Sequence, residues 1–400
     1  MEIRSITLFC EPDFALADAA RFFTATAGRF APAVQTRRVA FTPFPGWWPA
    51  ASDPGRVAET LVAQWQAAGA DYLSLGPVQL RHDAGWLARL PDLLGVGGAL
   101  FASAEVADTG GQIDLGRCAA VAHLVQQASR LRPDGFGNLY LAALAHCPAG
   151  SPFFPVAYHG GGPAGFALAV EAADIALAAI QAAATLAEAR HNLVSAIEQA
   201  AAGLAAAAGD LAQAQGVRFS GIDFSLAPFP SSDKSLAGAL EALGLPHLGA
   251  PGSLFAAAFI TEAIGRASFP RCGFSGLMLP VLEDNVLAAR AAAGQVGLTD
   301  LLSYAAVCGV GLDTVPLPGD VSEASLTGIL LDVAALATRL KKPLTARLMP
   351  LPGLSAGDPV TFDFPYFADS RVMPVPGRGV AHLLAQPAQL SLRSRAAGHE

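Results

Sequence analysis

Continuous apolar runs constrain the fold of this chain most. They are bounded by turns that are rich in glycine and proline. The clearest run lies at residues 276–282, inside the stretch 270–320, and reads Gly-Leu-Met-Leu-Pro-Val-Leu. A strand that is buried on both faces has such a run, because neither set of its side chains faces water. Apolar strands alternate with helical segments along most of the chain, which is typical of a mostly parallel sheet or a barrel. We therefore expect an α/β fold with its polar groups at the strand ends.

An alanine-rich segment, residues 165–215, is the second strong constraint on the fold. Alanine has the highest helix propensity, so we expect two long helices here, with breaks near residues 190–192 and at Gly203. Residues 164–187 form the most membrane-like stretch, but Glu171 and Asp174 interrupt it and alanine is only weakly apolar. The segment is therefore expected to be a buried helix and not a membrane span.

Composition favours one large core. Of the 400 residues, 52% are hydrophobic and only 14% are charged, whereas charged residues usually make up about 25%. A globule with so few charges cannot easily cover itself with polar groups, so we expect a homo-oligomer, a dimer or higher. No linker or internal repeat interrupts the chain. We expect a single α/β domain over residues 1–387 and a frayed tail over 388–400.

Charge and cysteine content exclude several classes of protein. The net charge is −8 and no basic run is present, which argues against a nucleic-acid partner. Five widely spaced cysteines without a Cys-x-x-Cys pair argue against a disulfide framework and a zinc ribbon, and fit a reducing cytoplasm. The first nine residues are too short and too polar for a signal peptide. A small-molecule ligand, without membrane or nucleic acid, remains as the expected partner.

Two residues are candidates for catalysis because of their chemistry and their place in turns. Cys272 precedes the apolar run and could be a nucleophile with a lowered pKa, or else a small buried hydrophobic residue. His159 closes a proline-rich loop and could transfer protons near neutral pH, or only make structural hydrogen bonds. Tyr158 beside it could orient a substrate.

Carboxylates follow several of the apolar runs. Glu283 and Asp313 could act as general acid and base if proximity separates their pKa values. Asp284 could bind Mg²⁺ or Ca²⁺, which prefer oxygen ligands. The structural alternatives are that Asp284 caps a helix beginning at Asn285 and that Asp313 binds backbone amides in its own turn.

Four further residues are candidates for substrate binding. Asp223 ends a predicted strand, Asp320 closes a turn, and Ser275 lies in the turn after Cys272. Arg347 lies in a predicted strand, where an arginine is either a paired core charge or a clamp for an anion.

Six longer segments together resemble one known family. They are residues 151–159 (SPFFPVAYH), 221–230 (GIDFSLAPFP), 272–284 (CGFSGLMLPVLED), 308–320 (CGVGLDTVPLPGD), 342–353 (KPLTARLMPLPG) and 362–373 (FDFPYFADSRVM). The chain resembles the DUF711, or UPF0210, family over nearly its whole length. The resemblance implies a single α/β barrel similar to that of the pyruvate formate-lyase-like glycyl radical enzymes, with the alanine-rich helices outside.

The radical chemistry of those enzymes is not expected here. Their radical glycine lies in an Arg-Val-x-Gly-Tyr type motif, whereas Arg371 and Val372 are followed by Met373 and Pro374. We expect a cytoplasmic enzyme that acts on a small polar or carboxylate-bearing metabolite at the barrel mouth, by acid/base or thiol chemistry of the lyase or hydrolase type. The alternative is a non-catalytic, metabolite-binding or regulatory oligomer on the same fold. Cys272, His159 and two carboxylates grouped around an open cavity would favour the enzyme.

Overall fold

The computed structural model describes residues 1–49 and 53–394. These residues form thirteen strands: β1 (Glu2–Phe9), β2 (Val34–Ala40), β3 (Tyr72–Val78), β4 (Leu100–Ala107), β5 (Gln112–Asp114), β6 (Leu141–Ala145), β7 (Gly165–Glu171), β8 (Arg218–Ala227), β9 (Gly311–Pro318), β10 (Leu344–Leu351), β11 (Pro359–Val360), β12 (Ser370–Arg371) and β13 (Gln389–Ser391). They also form eleven α-helices: α1 (Leu16–Ala25), α2 (Pro54–Ala67), α3 (Leu90–Gly95), α4 (Leu115–Ser129), α5 (Ala173–Gln181), α6 (Leu186–Gln215), α7 (Leu236–Ala242), α8 (Ser253–Arg266), α9 (Asn285–Ala292), α10 (Leu298–Val307) and α11 (Glu323–Leu340). The predicted mixed α/β class is confirmed.

One large sheet joins most of the strands, in the order β8-β7-β1-β2-β3-β4-β6-β10-β9. Strands β1, β2, β3, β4 and β6 are parallel to one another. Strands β7 and β8 are parallel to each other, as are β9 and β10, and both pairs run antiparallel to the first five. The carboxyl ends of the five parallel strands therefore lie at one edge of the sheet, and those of the other four lie at the opposite edge.

The two end strands of this order, β8 and β9, both contact the chain at residues 270–284. Arg271 forms a parallel bridge with Ile222 of β8, and Pro280 forms one with Asp313 of β9. The predicted strand at 276–282 is wrong, because these residues make isolated bridges and no continuous ladder. Pro280 has no N–H to donate. At Gly276, a Cβ atom would lie 2.7 Å from the Cα of Gly309, so the two backbones meet where a ladder would need side chains.

The alanine-rich segment differs from its prediction in two ways. Its first residues form β7, which pairs antiparallel with β1, so a non-local partner overrides helix propensity there. Helix α6 then runs for 30 residues without the breaks expected near residues 190–192 and at Gly203. Thr185 caps this helix by accepting a hydrogen bond from the Glu188 N–H. Every helix in the described residues is too short or too polar to cross a lipid bilayer.

The end of the chain is partly paired. Strand β13 lies antiparallel to β5, and the Leu115 N–H donates to Ala388 O at 2.9 Å. Residues 389–391, at the start of the expected tail, thus pair with the edge of β5. Residues 395–400, the rest of the predicted tail, lie outside the described residues.

Candidate functional site

A cavity of about 620 Å³ opens at the carboxyl ends of the five parallel strands. We call it the strand-end cavity. The segments that follow β1, β2, β3 and β6, together with the end of β4, supply its polar lining. These polar residues are Glu11, Thr42, Gln79, Arg81, His82, Glu105, Asp108, Thr109, Tyr158 and His159. Side chains at this edge converge because parallel strands end together, which is where α/β proteins usually hold their ligands.

Glu105 is the buried carboxyl of the strand-end cavity. It lies near the end of β4, whose residues are all buried, and its Oε2 accepts a hydrogen bond from the Leu80 N–H at 2.8 Å. Burial raises the pKa of its carboxyl to about 7 and the charge of Asp108 adds to this, although the Leu80 N–H and two arginines oppose it. A carboxyl with a pKa near neutral can both accept and donate a proton at cellular pH.

His82 is a neutral imidazole in the same cavity. The Gln79 N–H donates to its Nδ1 at 3.1 Å, so in the neutral ring the hydrogen resides on Nε2. Burial lowers the pKa of His82, and the charges of Arg81 and Arg117 lower it further. The Nε2–H group of His82 is thus available as a hydrogen-bond or proton donor.

His159 and Tyr158, both predicted site residues, also line the strand-end cavity. They end the buried segment 151–159, which is tied to the sheet by hydrogen bonds from Ser74 Oγ to Ala157 O and from the His159 N–H to Phe41 O. His159 Nε2 lies 3.1 Å from Gly162 O, so it donates there and leaves Nδ1 as an acceptor. The Tyr158 hydroxyl donates to Cys147 O, and burial raises its pKa, so it is a neutral donor.

The predicted residues Arg347, Glu283 and Asp313 meet elsewhere, in a buried group of charges. Arg347 Nε donates to Asp313 Oδ1 at 2.5 Å, and its Nη2 donates to Glu283 Oε1 at 2.8 Å. Arg4 of β1 reaches the other oxygen of Glu283 at 2.6 Å. The side chains of these three predicted residues are at most 5% exposed. Of the two alternatives for Arg347, the structure places it as a paired core charge.

The acidity of the two carboxyls in this group differs. Burial opposes ionisation of Glu283, but the guanidinium groups of Arg4 and Arg347 outweigh it and hold its pKa below the ordinary range. Burial raises the pKa of Asp313, and Arg347 only partly offsets this effect. Two guanidinium groups thus stabilise the charge of Glu283, whereas Asp313 has one.

Cys272, Asp223 and Ser275 belong to a third place, where the chain at 271–276 lies against β8. The Cys272 N–H donates to Ile222 O, and the Asp223 carboxylate accepts from the Phe274 and Ser275 N–H groups at 3.0 and 2.9 Å. Cys272 is not among the described residues that line the strand-end cavity. Burial raises the pKa of its thiol, and the nearby Asp223 adds to this effect. The predicted grouping of Cys272 with His159 around one cavity is therefore not found, and the thiol is poorly suited to be a nucleophile.

Asp284 and Asp320 lie outside both groups. Asp284 caps α9 by accepting from the Val286 and Leu287 N–H groups, and it also accepts from Ser235 Oγ and the Ala237 N–H. Both of its oxygens are thus engaged in joining α7 to α9, which is the capping alternative and not the metal role. No group of three or more His, Cys, Asp or Glu side chains in residues 1–49 and 53–394 could hold a metal ion. Asp320 is exposed in the turn after β9.

Comparison with known proteins places the chain in a family. The family model described as "Uncharacterised ACR (DUF711)" matches residues 15–365. The chain belongs to the DUF711 family. A UPF0210 protein of Pyrobaculum arsenaticum is 41% identical over 228 residues, which cover 54% of this chain and 50% of the relative. A UPF0210 protein of Oleidesulfovibrio alaskensis is 30% identical over 345 residues, which cover 82% and 75% respectively. The chain thus matches about half the length of the Pyrobaculum relative.

The segments by which the chain resembles other DUF711 proteins contribute to more than one place. Residues 151–159 supply Tyr158 and His159 to the strand-end cavity. Residues 272–284, 308–320 and 342–353 supply Glu283, Asp313 and Arg347 to the buried charge group. Residues 221–230 supply Asp223, which binds the chain at 272–276.

Sequence reasoning missed eight of the ten polar residues of the strand-end cavity, among them Glu11, Arg81, His82 and Glu105. Glu105 could have been found, because it is the one charged residue in the otherwise uncharged strand Leu100–Ala107 and lies near its carboxyl end. Arg81 and His82 follow shortly after β3. A search for polar residues near the end of each predicted strand and just after it would have found these four.

Proposed function

We propose that the protein is an acid/base enzyme that acts on a small polar, carboxylate-bearing metabolite in the strand-end cavity. Glu105 transfers the proton as general base and acid, His82 donates a hydrogen bond from its Nε2–H group, and Arg81 binds the substrate carboxylate. The observation that carries this proposal is a buried carboxyl, with a pKa of about 7, on the wall of an open polar cavity. The ideal pKa of a catalytic base lies near the working pH, where it is ionised and still basic.

The size and charge of the cavity support a small anionic substrate. Its volume of about 620 Å³ lies within the range of roughly 300–1,000 Å³ that small-molecule sites occupy. Arg81 is exposed on the lining, where its guanidinium can form paired hydrogen bonds with a carboxylate. With the carboxylate held there, Glu105 takes a proton from an adjacent carbon or from a bound water. Glu105 then returns this proton to the leaving or receiving atom, while the Nε2–H of the neutral His82 donates a hydrogen bond to the oxygen on which negative charge develops. Protons balance without a covalent intermediate.

Thiol chemistry is the less favoured of the two mechanisms considered from the sequence. Burial raises the pKa of the five free cysteines, Cys10, Cys118, Cys147, Cys272 and Cys308. A thiol becomes a nucleophile when its pKa falls, so these environments favour the unreactive protonated form. Five unpaired thiols also support a location in the reducing cytoplasm.

The proposal includes closure of the sheet into a barrel, similar to that of the pyruvate formate-lyase-like enzymes. Residues 271–280 form parallel bridges to both β8 and β9, the two end strands of the sheet order. With this segment as the joining strand, a group of five strands would face a second group of five of opposite direction. The strand-end cavity would then be the mouth at the carboxyl ends of the first group.

Untargeted metabolite conversion tests the function. The purified protein would be incubated with a cell metabolite extract, and depleted and newly formed masses would be followed by liquid chromatography and mass spectrometry. Glu105→Gln is the test variant, because the amide oxygen still accepts the Leu80 N–H while basicity is lost. We expect its conversion rate to fall by roughly 10²- to 10⁴-fold. The exposed Glu59→Gln is the matched control and should keep the wild-type rate.

Two outcomes would contradict the acid/base enzyme. Conversion by Glu105→Gln at the wild-type rate would remove Glu105 from the reaction. A wild-type protein that retains one metabolite stoichiometrically and converts none would favour the non-catalytic binding or regulatory function.

A further inference from the structure

A second cavity, of about 100 Å³, lies at the amino ends of the five parallel strands, opposite the strand-end cavity. We call it the arginine cavity. Its lining includes Arg4 and Arg38 from β1 and β2, Tyr72 from the start of β3, Phe154, and Glu283 and Arg347 from the buried charge group. None of its lining residues lines the strand-end cavity. The two cavities are therefore separate sites.

The charges beside the arginine cavity are balanced except for one. Arg4, Glu283, Arg347 and Asp313 form an unbroken chain of ion pairs, with two positive and two negative groups. Arg38 is not part of this chain. It adds one positive charge that no carboxylate of the described residues pairs with at ion-pair distance.

Arg38 is held by neutral groups. Its Nε donates to Thr36 Oγ1 at 2.9 Å, and its guanidinium carbon lies 5.1 Å from the ring centre of Phe154 and 5.7 Å from that of Tyr72. Burial lowers the pKa of Arg38 to about 9, and the neighbouring charge of Arg4 contributes. A cation that is largely withdrawn from water costs free energy unless an anion approaches it. Its remaining N–H donors have no anionic partner within the described protein.

We propose that Arg38 binds the carboxylate of a small planar monoanion in the arginine cavity. A guanidinium presents paired N–H donors that match the two oxygens of a carboxylate. The one unmatched positive charge selects a single negative charge. The aromatic rings of Tyr72, Phe101 and Phe154 supply flat apolar walls for the rest of the ligand. This inference is independent of acid/base catalysis in the strand-end cavity.

Binding of benzoate, with neutral benzamide as its isostere, tests the proposal. Isothermal titration calorimetry should show saturable binding of benzoate to the wild type and much weaker binding of benzamide. Arg38→Met should weaken benzoate binding by roughly ten- to hundredfold. Arg38→Lys should retain part of the affinity, because it keeps the charge but loses the paired donors. Arg37→Met is the matched control: Arg37 is the neighbouring arginine, pairs with Asp71 and does not line the cavity.

The unfolding temperature of the ligand-free variants shows whether Arg38 serves to bind a ligand or to stabilise the fold. Without ligand, Arg38→Met should unfold at the wild-type temperature or above, because it removes a half-buried charge that has no carboxylate partner. A lower unfolding temperature for Arg38→Met, restored in Arg38→Lys, would mean that the cation holds the fold and would overturn the proposal.

Three binding results would also overturn it: no saturable benzoate binding to the wild type, equal binding of benzamide, or undiminished benzoate binding by Arg38→Met. Benzoate binding by Arg81→Met shows which of the two cavities holds the ligand. It should bind benzoate like the wild type, and loss of binding in this variant would put benzoate in the strand-end cavity and refute the assignment.

Discussion

Glu105 and Glu283 are both buried carboxylates, yet their pKa values move in opposite directions. Burial opposes the charge of Glu283, but two guanidinium groups within ion-pair distance more than offset it. Glu105 accepts a single backbone N–H, so burial prevails and raises its pKa to about 7. The presence of adjacent cations decides whether a buried carboxylate is a fixed charge or a proton carrier.

The stability of the protein should depend on pH through Glu105. Its pKa rises from an ordinary value near 4.5 to about 7 on folding. The folded state therefore binds this proton more tightly, and the resulting stabilisation is full below pH 4.5 and is lost as pH rises through 7. Glu105→Gln lacks this contribution. Relative to the wild type it should gain about 3 kcal/mol in free energy of unfolding between pH 4 and pH 8, measured by urea denaturation. A difference between the two proteins that does not change with pH would contradict the raised pKa.

Removal of Arg347 should destabilise the protein strongly. Arg347→Met leaves Asp313 buried without a cation, and breaking such a pair costs about 3–5 kcal/mol. We expect a lower urea midpoint at pH 8 and partial recovery at acidic pH, where Asp313 is protonated. The double variant Arg347→Met, Asp313→Asn should recover much of the loss, because no unpaired charge remains. A wild-type midpoint for Arg347→Met would show that the ion pair does not stabilise the fold.

The sequence shows which residues carry charge or a reactive group, but it does not show which of them meet. Glu283 and Asp313 were candidates because they follow apolar runs, and Arg347 because it lies in a predicted strand, where a charge needs a partner. Cys272 and His159 were expected at one cavity because both lie in turns, yet hydrogen bonds from Cys272 to β8 and from His159 to Phe41 put them in different places. Such assignments depend on contacts between residues distant in sequence, which local patterns do not encode.

For helices and strands, a feature that depends on neighbouring residues could be predicted from the sequence. The pairing of strands that are distant in sequence could not. Asp284 was considered as the cap of a helix beginning at Asn285, and its carboxylate accepts the Val286 and Leu287 N–H groups at the start of α9. The strand β7 was predicted as helix, because its pairing with β1 lies more than 150 residues away in sequence. Residues 276–282 were predicted as a strand from their apolar run, but Pro280 and the contact of Gly276 with Gly309 prevent a ladder.

Asp223 should hold the chain at 272–276 against β8. Its carboxylate accepts four hydrogen bonds, from the N–H and Oγ of Ser225 and the N–H groups of Phe274 and Ser275. In Asp223→Ala these donors lose their acceptor, so hydrogen–deuterium exchange in a peptide spanning residues 272–276 should accelerate at least tenfold, which corresponds to about 1.4 kcal/mol. The exposed Asp233→Ala is the control and should leave this peptide unchanged. Exchange in Asp223→Ala at the wild-type rate would mean that other contacts hold the segment.

At the scale of the whole molecule, the direction of the strands separates two kinds of site. The carboxyl ends of the five parallel strands hold titratable groups around the large strand-end cavity. Their amino ends hold arginines and aromatic rings around the small arginine cavity. The proposed proton transfer and the proposed anion binding thus lie at opposite edges of one sheet.

We propose that the protein self-associates through an exposed apolar patch. Phe255 on α8 is 62% exposed and stacks on Phe259, next to the exposed Leu254. Such an apolar patch on a chain with few charges supports the proposed homo-oligomer. We expect sedimentation velocity to give at least twice the chain mass of 40.9 kDa, and Phe255→Glu to shift the protein toward the single chain. The exposed Leu383→Glu, on a different segment, should sediment like the wild type. A wild-type protein that sediments as one chain would refute self-association.

The proposed proton transfer in the strand-end cavity requires Glu105 to titrate near neutral pH. Carbon-13 NMR of protein labelled at the glutamate carboxyl carbons measures this titration, with Glu105→Gln identifying the resonance. We expect this one signal to titrate with a midpoint near pH 7. A midpoint below about 5, like that of an ordinary exposed glutamate, would contradict it.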